Sequence, residues 1–558
     1  MELTEAIIDR PGPVRGKFDA SGVPPRSGRG RPSLLIIGAA IGLAACSTAG
    51  PEFTPPAVQS PTQWDERHGG ASELAAPAGN ARVGSGEAGS RNAVATLSWA
   101  DFADPVLNEL IDRARSNNQD LRVALLRVQQ SRMQQTMVSA QRGVQIDANG
   151  AADRERQSRD GSASRLVNAI GGPGTQPLLD ALSQPFSLYQ AGFDASWEFD
   201  LWGRLARSEE VAQASTQAAE AQMRQMQLSI DGELARAYFN LRSAQRQQRL
   251  LAASMVLATE SQRLLLARQN HGLSDASATL KQVALIESLK AQQPGVLALQ
   301  AQALNQITLL CGLPAGDLNE RLADRSARIS EANVEPAAAL RGSSQGQPDG
   351  SWNWIAAPLP DLLLGLPGDL IRQRPDIVAA EARAHAATAA IGVSVAELYP
   401  SIILGARFGV ESLTSAGLTQ WTSRQWSIGP AFNVPVFDHG RRRATVELRR
   451  LEQQEALVAW QQAVLKAWHE VDDAISTYQA EVAVQVSLTE RLKTLDAELL
   501  LARGRFEQGL TAQLPVLEAR SNRVAARREL SDNLARRQVA LVALVKALGT
   551  ERNGISGK

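Results

Sequence analysis

The residues best suited to acid–base or metal chemistry are five histidines, His68, His271, His385, His439 and His469, and they are scattered without ligand spacing. His469-Glu470, followed by Asp472 and Asp473, comes nearest to a metal-binding run. The HExxH spacing that puts two imidazoles on one helix face is absent, so the run reads as a solvated helix face. GSGEAG at 84–89 matches the letters of GxGxxG. A phosphate-cradling turn needs a strand before it and a helix after it, and this one lies in a Pro-, Gly-, Ser- and Ala-rich stretch. The chain has no GxSxG nucleophile elbow and no GxxxxGK[ST] phosphate loop. Of its two cysteines, Cys311 stands among Leu309, Leu310 and Leu313 at a predicted helix end and reads as a small buried hydrophobe. Neither a disulfide framework nor a cysteine metal cluster can be built from Cys46 and Cys311 alone. The expectation is a protein with no catalytic residue, no metal and no cofactor, and not an enzyme.

Composition narrows the partners. In 558 residues, Lys+Arg and Asp+Glu both number 58, so there is no strong field to attract nucleic acid. The mean hydropathy is −0.19, and beyond residue 45 no run approaches the roughly 20 consecutive apolar residues that each spanning helix needs. Residues 34–45, LLIIGAAIGLAA, are preceded by Arg26, Arg29 and Arg31 and have the length of a secretory leader. The roughly 30 residues ahead of that run are long for such a leader, which leaves the true start codon open. Leu43-Ala44-Ala45-Cys46 resembles the lipobox of bacterial lipoproteins. That resemblance implies cleavage after Ala45 and a lipid on Cys46, and Ser47 behind it fits sorting to the outer membrane. Residues 46–96 then read as an extended tether.

The elements behind the tether come in two copies. Glu233 and Glu470, Arg268 and Arg505, Gly272 and Gly509, Leu273 and Leu510, and Gly312 and Gly549 all share one sequence offset. The copies run 97–314 and 365–550, joined by a linker at 315–364 and followed by a tail at 551–558. Each predicts a β-hairpin, at about 145–199 and about 401–437, with extra loop residues at 158–185 in the first copy. Ala191, Phe193, Ala195, Trp197 and Phe199 alternate with Gly192, Asp194, Ser196 and Glu198. Ile402 to Val410 and Trp426 to Val436 alternate in the same way, whereas the partner strand at 145–155 is weak. Runs of about 10 residues, apolar on one side and small or polar on the other, match tilted strands of a membrane barrel, and an ordinary half-buried sheet shows the same alternation. Four strands in a membrane cannot close alone, so a barrel requires several copies. From Arg204 to His271 and from Arg441 to Gln508 proline is absent and glycine occurs once in each stretch, predicting helices of about 100 Å at about 1.5 Å per residue. Leu488, Leu492, Leu495, Leu499 and Phe506 keep heptad spacing. Return helices follow at 273–312 and 516–548, with a kink or break expected at Pro294.

Arg374-Pro375-Asp376-Ile377, Ala380-Glu381, Ile391-Gly392 and Tyr399-Pro400-Ser401 closely resemble the second-repeat opening of TolC-like outer-membrane factors, in the NodT-type lipoprotein branch. SWADFADPVLNELIDRARSNNQDLRVALLRV at 98–128, SWEFDLWGR at 196–204 and VPVFDHGRRR at 434–443 extend the match over the mature chain. The resemblance implies an α+β membrane protein, a homotrimer whose barrel takes four strands from each chain and continues as a periplasmic α-helical barrel girdled by an equatorial layer. The implied function is the exit duct of a tripartite efflux pump, docked to a periplasmic adaptor and a proton-driven inner-membrane exporter. A type I protein secretion duct shares that fold, and a lipid-anchored periplasmic coiled-coil scaffold is the alternative from another class.

Arg268, Gly272 and Leu273, with Arg505, Gly509 and Leu510, match the family's helix-turn-helix tips, which close the periplasmic mouth and meet the adaptor. Members of that family commonly carry an acidic residue six positions after the tip glycine, where this chain has Ala278 and Pro515, so Asp275 and Glu518 are the remaining candidate gate acids. Arg441, Arg442 and Arg443 open a helix, where the macrodipole disfavours cations and something must compensate. With Arg204 they are expected either to face anionic lipid headgroups at the barrel–tube junction or to be solvated charge.

Overall fold

The computed structural model describes residues 48–56, 99–102, 104–161, 165–170, 174–323 and 373–549. The leader, Cys46, the tether beyond residue 56, GSGEAG, most of the 315–364 linker and the tail lie outside the described residues. In chain order the elements are α1 (Pro105–Asn117), α2 (Gln119–Ala140), β1 (Gln145–Glu155), α3 (Arg165–Ile170), α4 (Thr175–Leu182), β2 (Phe186–Phe199), α5 (Arg204–Asn270), α6 (Ala276–Leu310) and α7 (Asn319–Leu322). The second copy gives α8 (Pro375–Ala396), β3 (Ser401–Ser412), β4 (Arg424–Asn433), α9 (Arg441–Glu507) and α10 (Gln513–Leu548).

The strands form one antiparallel sheet in the order β1-β2-β3-β4. The helices repeat that order. α2 packs on α5, α5 on α8 and α8 on α9, while farther from the sheet α6 packs on α5, α5 on α10 and α10 on α9. Two columns, α5 and α9, are therefore continuous over 67 residues each, and two are jointed, α2 above α6 and α8 above α10. Each strand runs directly into its own column.

The two joints use one device. Asn118 Nδ2 donates to the Leu310 carbonyl at the end of α6 (2.9 Å), and its Oδ1 accepts from Leu121 N–H at the start of α2 (3.0 Å). In the second copy Arg374 Nη1 donates to the Ala547 carbonyl at the end of α10 (2.6 Å), and its Nη2 pairs with Asp376 (2.8 Å) and Glu470 (2.6 Å). A donor held against the last carbonyls of a helix satisfies orphan acceptors and suits the negative end of its dipole.

Around these joints lies the main apolar core, drawn from α1, α5, α6, α9 and α10 and including Leu107, Leu234, Leu241, Ile307, Ile475 and Leu541. Cys311 is fully buried there beside the Leu110 carbonyl, and burial pushes its thiol up to about 11. In α9, Trp460, Val464, Ala467, Val471, Ala474 and Tyr478 are buried at alternating spacings of 4 and 3, the heptad signature. Farther along, Leu499 packs on Val516 and Ala519 of α10, while Phe506 at the end is exposed.

The structure corrects several expectations. Of the kink or break expected at Pro294, the break does not occur: α6 runs continuously through that exposed position. The 158–185 insertion carries two short helices, α3 and α4, instead of loop alone. β4 ends at Asn433, short of Val434 and Val436, because Pro435 has no N–H to continue the ladder. Residues 48–53 of the tether pack against the helices.

Candidate functional site

The sheet register decides what the wall of a duct would present. Ala148, Phe193, Phe408 and Trp426 stand side by side on one face, followed by Ile146, Ala195, Ala406 and Ile428, and then by Trp197, Leu404 and Pro430. The last rung toward the helices is Phe199, Ile402 and Phe432. Between them, on the other face, Asp147, Asp194, Arg407 and Ser427 are level, next to Asn149, Gly192, Gly409 and Gln425. Arg407 Nε donates to Asp194 Oδ1 (2.6 Å), Asn149 donates to the other Asp194 oxygen, and Gln190 Nε2 donates to Glu411 Oε2 (2.8 Å). That face carries the carboxylates of Asp147, Asp153, Glu155, Asp194, Glu198 and Glu411 against the single guanidinium of Arg407. One face is thus fit for hydrocarbon and the other for water.

β1 and β4 are exposed along their whole length, because each has a partner on one side only. The helical layer has matching free flanks. Leu126, Met133 and Met137 are exposed on α2 below β1, and Leu451, Val458 and Leu465 on α9 below β4. Unpaired strand edges cost several kcal/mol per backbone group in hydrocarbon, so these edges must meet. Because the β1/α2 and β4/α9 flanks differ, the joint is head-to-tail and generates a ring.

At the sheet–helix junction the Phe-Asp pairs explain how basic helix starts are tolerated. Asp200 Oδ2 accepts from Ala206 N–H (2.9 Å), and Asp438 accepts from Gly440 N–H (3.1 Å) and Arg442 N–H (3.2 Å). A carboxylate over the first turn satisfies its donors and offsets the dipole. Arg204 makes a two-pronged pair with Glu198 (3.0 and 2.6 Å), a residue of the polar face, and Arg442 pairs with Asp438 (3.1 Å). Arg441 and Arg443 are exposed and form no ion pair among the described residues.

At the far end the chain reverses twice. In the first tip Leu273 N–H donates to the Arg268 carbonyl (2.8 Å) and Gly272 N–H to the Gln269 carbonyl (2.9 Å); in the second, Leu510 N–H donates to Arg505 (2.8 Å) and Gly509 N–H to Phe506 (2.9 Å). This is the Schellman closure, and it needs the left-handed glycine, at φ +74° in Gly272 and +72° in Gly509. Leu273 and Leu510 project with 68% and 69% of their surface exposed. Asp275 caps α6 by accepting from Ala278 N–H (3.3 Å), while Glu518 is exposed on the second turn of α10. The predicted residues therefore form two groups, one at each end of the helices. The joint residues Asn118 and Arg374 escaped notice as partners of Leu310 and Ala547, although Arg374 lies inside the conspicuous RPDI segment.

The family model described as outer membrane efflux protein matches residues 110–313 and 366–550. The chain is 29% identical over 521 residues to outer membrane protein OprJ of Pseudomonas aeruginosa, covering 93% of this chain and 95% of that protein. It is 28% identical over 524 residues to the solvent efflux pump outer membrane protein SrpC of Pseudomonas putida, covering 93% and 96%. The solved structure of the outer-membrane channel OprN superposes with a TM-score of 0.70 at 26% identity, over 90% of this chain and 99% of that one. The fold is that of a trimeric outer-membrane β-barrel, with four strands from each chain, continued by a long α-helical barrel in the periplasm. The chain belongs to the outer membrane efflux protein family and is the outer-membrane channel of an efflux pump.

Proposed function

We propose that this channel is a passive exit duct for small toxic compounds, gated at its two periplasmic tips and opened by assembly. The observation that carries the reading is the sheet with one hydrocarbon face, one aqueous face and two free edges, continued in the same order by the helices. A periplasmic adaptor meets the tips around Leu273 and Leu510, whose exposed side chains give it an apolar purchase. A proton-driven inner-membrane exporter supplies the energy, and the solvent cargo in the name of SrpC supports small apolar substrates. Copies of Asp275 and Glu518 brought together around the mouth are the gate acids. Arg441 and Arg443 reach the headgroups of the inner leaflet, whereas Arg204 and Arg442 are held by their own carboxylates. Cys46 carries the lipid.

Purified full-length protein in planar bilayers should give ion conductance, and on gels it should run as a trimer that dissociates only on heating. A water-soluble monomer without conductance would sink the reading.

A further inference from the structure

Residues 48–53 lie across the seam between the two repeats. In the sheet that seam is the pairing of β2 with β3, and in the helical layer it is the packing of α5 on α8. Ala49 N–H donates to the Trp202 carbonyl between β2 and α5 (2.9 Å), and Arg207 Nε of α5 donates to the Ala49 carbonyl (3.3 Å). The next residue rests on the other repeat. A Cβ on Gly50 would lie 2.4 Å from Gly392 Cα in α8, and a Cβ on Gly392 would lie 2.7 Å from the Ala49 carbonyl oxygen. Three positions on, the Phe53 ring stacks on His385 of α8, with centroids 4.6 Å apart and planes at 14°. His385 Nε2 is 2.8 Å from Glu210 Oε1, and the other Glu210 oxygen accepts from Arg207 (2.7 Å), so the ring and the guanidinium under the strap are tied together.

We propose that residues 48–53 are a clasp that locks the first repeat to the second, with Gly50 and Gly392 as the residues that let it seat. Thr48 extends the contact by packing on Gly203 just beyond the Phe199 end of β2.

The test uses the full chain in detergent, comparing G50A, G392A and the control E52A, whose side chain is exposed. Alanine favours helix over glycine, so G392A does not weaken α8 itself, and G50A touches no helix. Both should speed hydrogen exchange in 48–56 roughly tenfold or more and lower the temperature at which the trimer dissociates, with E52A unchanged. Wild-type protection in both glycine variants would overturn the seat, and a released strap with an unchanged dissociation temperature would overturn the lock. C46S should keep the strap protected; loss of protection there would mean that the lipid, not the glycine contact, seats it.

Discussion

The two tips are the same turn built on different supports. Both close through a left-handed glycine and the same backbone bond, from Leu273 to Arg268 and from Leu510 to Arg505, each 2.8 Å. In the first tip Asp275 caps the return helix, and Thr279 Oγ1 donates to Gln269 Oε1 across the hairpin (2.8 Å). In the second tip the N-cap is Ala512, which has no side-chain bond to give, and Phe506 and Val516 stand where Gln269 and Thr279 stand in the first. The path of the chain is thus set by glycine and backbone, and the strength with which each tip is held is left to the neighbouring side chains. The second tip should be the looser of the two.

The comparison can be broken at its shared feature first. A Cβ at Gly272 or Gly509 meets nothing within 4 Å, so G272V and G509V test the backbone conformation alone. Each should cost about 1 to 3 kcal/mol of local stability, read as faster amide exchange at the tip and higher basal conductance; equal exchange to wild type would refute the requirement for glycine. Next in size, L273D and L510D should each weaken adaptor binding about tenfold, or roughly 1.4 kcal/mol, measured as affinity for the purified adaptor with the trimer intact. Smallest, the cap should be transferable. D275A should loosen the first tip by about 1 kcal/mol, and A512D should tighten the second by up to about 1 kcal/mol, so that the exchange rates of the two tips converge. If A512D leaves the second tip unchanged, the missing cap is not what separates them.

Much of this architecture was legible because it is periodic. The repeat offset located both tips, and the alternation of β2, β3 and β4 declared a two-faced sheet. β1 read weakly for a physical reason: after Ile146 its apolar face is Ala148, Gly150 and Ala152, and the two alanines lie opposite Phe193 and Tyr189 and borrow their bulk. Contacts distant in sequence were out of reach. Nothing in Gly392 announces Gly50, and Asn118 and Arg374 share a role through position, not chemistry. The capping of basic helix starts by Asp200 and Asp438 was visible only as a repeated Phe-Asp pair until their oxygens were seen on the first-turn amides.

The polar wall of the sheet has an electrical consequence. With Arg407 paired to Asp194 and Arg204 to Glu198, the carboxylates of Asp147, Asp153, Glu155 and Glu411 have no ion-pair partner among the described residues, so the water inside the barrel holds a surplus of mobile cations. Within roughly one Debye length of the wall, about 8 Å at physiological ionic strength, the fixed carboxylates attract a positively charged traveller and repel a negative one. The last stretch of the exit path is therefore a charge filter as well as a hole.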